Sequence, residues 1–225
     1  MSGLRQVKTR EELCTMVEEI GFIPLFACSI KGFSVEELTP RLVWWTGDAD
    51  TDPWEWREQI ASEGHIAYGK FFGQKSAFIS REWFPILAAF RRDGYVFRER
   101  YEAGLASKKA RDVMDLLEEH GMLASWRLKR LAGFGKEGEK GFEGVLAQLQ
   151  MQTYVTVCGF ERKKDRFGQE YGWPASVYST AERFFGEDHI GSCGLGPDDA
   201  GEKLVEQICR VIPGVSVAQA EGFMR

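Results

Sequence analysis

SKKARDVMDLLEEHGMLASWRLKRLAGFGKEGEKGFEGVLAQLQMQTYVTVCGFERKKDRFGQEYGWPASVYST, running from Ser107 to Thr180, is the stretch on which the reading of the fold turns. Ser107 can cap a helix, and Ala110, Val113, Met114 and Leu117 recur on one helical face before Gly121 stops the run. A second, shorter helix is predicted from Ser125 until Gly133 stops it, with Trp126, Leu128 and Leu131 apolar and Arg127, Lys129 and Arg130 mainly outward. The spacing of Phe142, Val145, Leu146 and Leu149 predicts a third helix over Gly141 to Gln150, which leaves Glu143, Gly144, Ala147 and Gln148 as an outer, reading face. Thr153 to Phe160 is β-branched and aromatic, and Ala175 to Ser179 supplies an antiparallel partner. Three helices followed by two strands around a charged turn is the order of a winged helix-turn-helix unit, which points toward nucleic acid.

The turn between those strands carries Arg162, Lys163, Lys164 and Arg166 beside Gly168. So many cations at one hairpin tip repel each other unless phosphate or open water lies near. Ala124 to Arg166 holds nine Lys/Arg against five Asp/Glu, about +4, in a chain of net charge −5, so the remainder stands near −9. DNA is therefore the expected partner. Phosphate contacts are expected from Arg127, Lys129, Arg130, Lys136 and Lys140, a base-edge contact from Gln148, and a second line of cations from Arg162, Lys163, Lys164 and Arg166. Glu139 and Glu143 would face the same phosphates and weaken the contact. A plain solvated hairpin, or a protein-interaction or ligand-sensing module without catalysis, is the other reading of the same residues.

The 225 residues, 44% hydrophobic and 13% aromatic, are enough for a proper core. No run approaches the roughly 18 apolar residues that cross a bilayer, and no basic, apolar, then small-residue export pattern opens the chain. A cytoplasmic protein without membrane contact is expected. Cys14, Cys28, Cys158, Cys193 and Cys209 are odd in number and scattered, so reduced thiols are expected. Neither they nor His65, His120 and His189 have the spacing of metal ligands, and no metal or cofactor is expected. The oligomeric state is not legible.

Before that central stretch, Thr9 or one of its neighbours can cap a predicted helix reaching about Glu19 with Leu13, Met16, Val17 and Ile20 inward, and Phe33-Ser34 starts a helical turn through Leu38. Trp44, Trp45, Trp54 and Trp56 then surround Asp48, Asp50, Asp52 and Glu55, in a segment where Gly47 and Pro53 signal irregular backbone. Trp44, Trp45, Trp54, Glu55 and Trp56 are candidates to line a pocket for an extruded base or small ligand, with a carboxylate as general base. The plain reading is that the rings pack and the acids face water. His65 to Phe72 and Lys75 to Ser80 flank Gly73-Gln74 as a β-hairpin, Arg81 to Arg92 reads as a helix, and Tyr95 to Leu105 as a connector. After Thr180 come a helical turn to Phe185, a glycine-rich loop from His189 to Pro197 and a helix from Asp198 to Val211, and the last dozen residues dock or fray. The expected class is α+β: residues 1–104 an N-terminal helical part with a small β-hairpin and the aromatic cluster, 105–185 the winged helix, and 186–225 a C-terminal loop and helix packing on the rest.

Gly133-Phe134-Gly135-Lys136-Glu137-Gly138 matches G-x-G-x-x-G, but a dinucleotide turn leaves a strand and opens a helix, whereas these glycines follow a helix. They are expected to form a flexible link whose N–H groups, with Lys136 and Lys140, hold a phosphate at the start of the third helix. No G-x-S-x-G elbow or neighbouring Cys and His supports nucleophilic catalysis.

Several strings carry a family resemblance: Trp54-Glu55-Trp56, Gly69-Lys70-Phe71-Phe72, Ser80-Arg81-Glu82-Trp83-Phe84-Pro85, Arg92-Asp93-Gly94-Tyr95, Gly135-Lys136 with Lys140-Gly141-Phe142, and Leu149-Gln150-Met151-Gln152-Thr153-Tyr154. Spread over most of the chain, they resemble a group of short bacterial AlkZ-related proteins, distantly similar to the AlkZ/YcaQ-type winged-helix DNA glycosylases. Those glycosylases remove alkylated bases or unhook crosslinks with a Gln-x-Gln or Gln-x-Asp near the start of the chain. The resemblance therefore implies a repair-related, DNA glycosylase-like protein and makes Gln150 and Gln152 the candidate catalytic pair, although here the tripeptide stands where the third helix meets the first wing strand.

Overall fold

Residues 4–135 and 138–224 are described by a computed structural model, and the chain alternates helices with short antiparallel strands. Helix α1, Arg10–Ile20, begins where Thr9 accepts the N–H of Glu12 and buries Leu13, Met16, Val17 and Ile20. It ends at Gly21, whose φ is +93° and where a Cβ would stand 2.7 Å from Cγ of Trp83, so only glycine fits this corner. Strand β1 is Phe22–Pro24, helix α2 is Val35–Leu38, and helix α3 is Pro53–Glu63. Helix α3 occupies a segment expected to be irregular. Its Asp52 accepts the Trp54 N–H and Pro53 fills the first turn, where a missing N–H costs nothing.

The hairpin of β2, Ile66–Phe72, and β3, Lys75–Ser80, turns at Gly73-Gln74 as expected. Helix α4, Phe84–Arg92, follows. The stretch read as a connector contains helix α5, Phe97–Glu102. Helix α6, Lys108–His120, a two-residue strand β4, Leu123–Ala124, and helices α7, Ser125–Leu131, and α8, Phe142–Met151, come next. The long hairpin arms are β5, Val155–Lys164, and β6, Glu170–Thr180, so both strands run well beyond the spans expected from composition. Helices α9, Ala181–Phe185, α10, Glu187–Ile190, α11, Pro197–Val211, and α12, Val217–Met224, close the chain. The end docks, with Ala220, Phe223 and Met224 buried. Helix α10 lies partly in the predicted glycine-rich loop.

One six-stranded sheet, in the order β1-β3-β2-β5-β6-β4 with every pair antiparallel, runs through the molecule. Tyr68 opposite Val157 joins the N-terminal hairpin to the long one, and Leu123 opposite Tyr178 brings β4 onto its far edge. The chain is thus a mixed helical and antiparallel-sheet, α+β protein. Its core is dominated by aromatics: Phe22, Phe33, Trp56, Phe71, Phe78, Phe84 and Tyr154 are all fully buried. No helix among the described residues is long and apolar enough to cross a membrane.

Candidate nucleic-acid interface

Two neighbouring cations of α7 and a third from the long hairpin, more than thirty residues later, come together where the two elements meet. Lys129, Arg130 and Lys163 line one open hollow of about 530 Å³ with Trp126, Phe134 and the glycines Gly133, Gly135 and Gly138. Lys163 reaches across from β5, its Nζ 5.8 Å from the centre of the Trp126 ring. The floor is held by backbone, since Gly135 N–H donates to the Glu139 carbonyl and Glu139 N–H to the Gly133 carbonyl. That loop of glycines lies between α7 and α8 with no strand before it, so it is not a dinucleotide turn.

The charges around the hollow are largely unneutralised. Lys129 stands 3.9 Å from Glu143, and both are well exposed, a pair of little energetic weight. Arg127, Arg130, Lys163, Lys164 and Arg166 are exposed and form no ion pair with a described carboxylate. Arg162 instead donates to the Gly172 carbonyl across the hairpin. Glu139 is occupied by Lys109 at 2.7 Å, and the same Lys109 ammonium donates to the carbonyl of Lys140, whose side chain is exposed. Lys136, also expected to touch phosphate, lies outside the described residues.

Helix α8 presents less reading surface than its sequence suggests. Glu143, Gly144 and Gln148 are exposed, but Ala147, expected on that face, is 2% exposed. The helix packs on β2, α6 and β5. Gln150 ties α8 to β2: its Oε1 accepts the Lys70 N–H at 3.0 Å and its Nε2 donates to the Leu146 carbonyl at 3.1 Å. The expected catalytic amide is thus 2% exposed, with both ends bonded to main chain. Gln152 is half-buried at the end of α8, where its N–H donates to the Gln148 carbonyl.

Three of the four tryptophans expected around a pocket are used in packing. Trp56 is fully buried with its indole N–H on the Asp50 carbonyl, and Trp44, 6% exposed, donates to Thr39. Trp54 lies under the Arg57 guanidinium at 3.7 Å, Glu55 beside it is half-buried, and Trp45 projects into solvent. The acids between them serve the loop. Buried Asp52 accepts the N–H groups of Thr46, Gly47 and Trp54, and Asp48 accepts from Asp50 and Thr51, bonds that hold the Asp48 carboxyl below the usual range.

A larger groove, about 940 Å³, opens elsewhere, and sequence reasoning missed it. Its walls include Arg92, Phe97, Glu118, Tyr154, Glu182 and Arg183. Burial, with Asp115 and Glu182 nearby, raises the Glu118 carboxyl above its ordinary pKa. These residues come from four separate elements and the turn before β5, so no local pattern marks them. The nearest signal was the Arg92-Asp93-Gly94-Tyr95 string.

Taken together, fold and surface define an α+β protein with a basic helix-and-hairpin hollow on one side. The chain belongs to the AlkZ-related family, whose profile matches residues 7–225. Among solved structures, the DNA glycosylase AlkZ of Streptomyces sahachiroi is similar at 11% identity and a TM-score of 0.49, over 97% of this chain and 59% of that one. The chain thus spans 59% of that structure's length. No curated protein matches it.

Proposed function

We propose that residues 105–185 form a winged helix-turn-helix unit that binds DNA, in a protein serving the repair of alkylated or crosslinked DNA. In this division residues 1–104 pack beside the unit and 186–225 close over the rest. The helix-strand-helix-helix-strand-strand order from α6 to β6, with β4 paired to β6, supports it. The observation that carries the binding surface is the convergence of Lys129, Arg130 and Lys163 around one hollow. Arg127, Lys140, Arg162, Lys164 and Arg166 extend that surface along α7, the loop before α8 and the hairpin. Because β2 covers part of α8, phosphate contact dominates and base reading is limited to Gln148, so binding depends weakly on sequence. Gln150 holds α8 to the sheet, and we assign it no chemistry.

Titrating salt against duplex binding, read by fluorescence anisotropy, tests the proposal. With Arg127, Lys129, Arg130, Lys163 and Lys164 each neutralising one phosphate, log affinity should fall against log salt with a slope of about −4.5. No binding at low salt, or an affinity indifferent to salt, would overturn it. One observation favours a second reading: the 940 Å³ groove between α4 to α6 and α9 to α10 would suit a ligand-sensing module.

A further inference from the structure

Four large aromatic side chains stand out in solvent among the described residues, and three of them fall within seven positions of one hairpin: Phe167 at 74%, Tyr171 at 53% and Trp173 at 87% exposed. The fourth is Trp45. A protein with this many buried rings has the means to hide them, so their position at the hairpin's outer end requires a reason.

The backbone that carries the rings is fixed. At the tip, the Asp165 carboxylate accepts the N–H groups of Phe167 at 2.8 Å and Gln169 at 3.0 Å, while the Asp165 N–H donates to the Gln169 carbonyl. Gly168, at φ +82°, closes the turn. Further along, the strand register slips between Glu161 and Lys163, and Arg162 pins the slipped segment by donating to the Gly172 carbonyl at 2.8 Å. Tyr171 and Trp173 lie on either side of that glycine. Cations are interleaved with the rings. Lys163 pairs in register with Tyr171, and the Arg166 guanidinium sits 4.6 Å from the Phe167 ring.

Rings alone would suit an apolar protein surface, but the four cations on the same arm outnumber its acids Glu161, Asp165 and Glu170, which opposes that partner and attracts a polyanion. Cations for phosphate beside exposed flat rings for bases make a stacking arm. The bases of an intact duplex already stack on one another and offer no free face. We propose that the β5–β6 hairpin stacks Phe167, Tyr171 and Trp173 on unpaired nucleobases, so that the protein selects DNA with a gap, bulge or frayed site over intact duplex. This rests on the DNA-binding reading above and adds the structural class of the substrate.

The test compares three probes at one salt concentration: an intact duplex, the same duplex with a short single-stranded gap, and the single strand alone. Each stacked base is worth roughly 5- to 150-fold in affinity, so the gapped probe should bind at least about tenfold more tightly than the intact one. The combined variant Phe167→Ala, Tyr171→Ala, Trp173→Ala should lose that preference yet bind intact duplex within about twofold of the parent. A 2-aminopurine placed in the gap should be quenched by the parent and not by the variant. The three side chains are exposed, so unfolding is not expected, and an unchanged melting temperature checks this. Equal affinity for gapped and intact duplex, or a preference that survives the triple variant, overturns the stacking arm while leaving duplex binding in place. Failure to bind any of the three probes overturns both, and self-association abolished by the triple variant would then assign the rings to protein contact.

Discussion

Replacing Arg92 with alanine is expected to lower stability by about 3–5 kcal/mol, read as a fall in the urea midpoint at unchanged slope. Arg92 ends α4 at 7% exposure and fastens three parts of the chain. Its Nη2 donates to the Thr153 carbonyl at 2.7 Å, its Nε to the Thr153 hydroxyl at 3.2 Å, and its Nη1 to the Glu182 carboxylate on α9. The guanidinium also lies 4.5 Å from the Tyr154 ring, whose hydroxyl donates to the Tyr95 carbonyl. Thr153 holds φ +62°, unusual for a β-branched residue, and the arginine bonds are what over-determine it. Truncation leaves a carboxylate, a carbonyl and a hydroxyl short of a partner at once. Arg92→Lys should recover little, because one ammonium cannot span the fork that three acceptors now share. A loss below about 1 kcal/mol would mean that Thr153 and Glu182 find other partners or water.

The combined substitution Arg130→Ala, Lys163→Ala, Lys164→Ala should weaken duplex binding by about two to three orders of magnitude near 0.1 M salt. The figure follows from counterion release. Each phosphate contact contributes about 0.9 to the log–log slope, hence close to tenfold at that salt, and three are removed. The slope should fall by about 3 in the same titration. All three side chains are exposed and pair with no described carboxylate, so the melting temperature should stay put. Reduced affinity with an unchanged slope would show that these cations act by some route other than phosphate.

Much of the helical framework could be read directly. Helices α1, α6 and α8 carry clean apolar stripes, and Thr9 and Ser107 accept the N–H groups that their positions promised. Helix α3 was hidden by its own chemistry. Its inner face is Pro53, Trp56, Arg57, Ile60 and Ala61, and a guanidinium in mid-stripe disguises the period. Arg57 is tolerated there because it lies between Trp54, at 3.7 Å, and the Phe160 ring of β5, at 4.4 Å, although burial still lowers its pKa. The Asp52-Pro53 pair was the local signal for a helix start, outweighed by proline's reputation as a breaker.

Long-range pairing left no local trace. Tyr68 opposite Val157 makes one sheet from two hairpins, and the same junction places Lys70 against Gln150. Gln150, the first residue of a tripeptide resembling a catalytic motif, thereby ties α8 to β2. The basic surface was legible as composition, but the particular meeting of Lys129, Arg130 and Lys163 depends on how the hairpin leans over α7. The exposed aromatics of that hairpin were visible as letters and carried no weight until their exposure was known.

In the function proposed above, DNA sits on one face, formed by α7, the glycine loop and the long hairpin. Amide chemical shifts of the isotope-labelled protein, followed as a short duplex is added at low salt, locate that face. The largest changes should fall on Arg127 to Arg130, Gly133 to Gly135 and Arg162 to Gly168, while α1, α11 and α12 stay still. A footprint centred on the N-terminal helices or on α11, or a spectrum that the duplex leaves unmoved, would rule this face out as the DNA-binding surface.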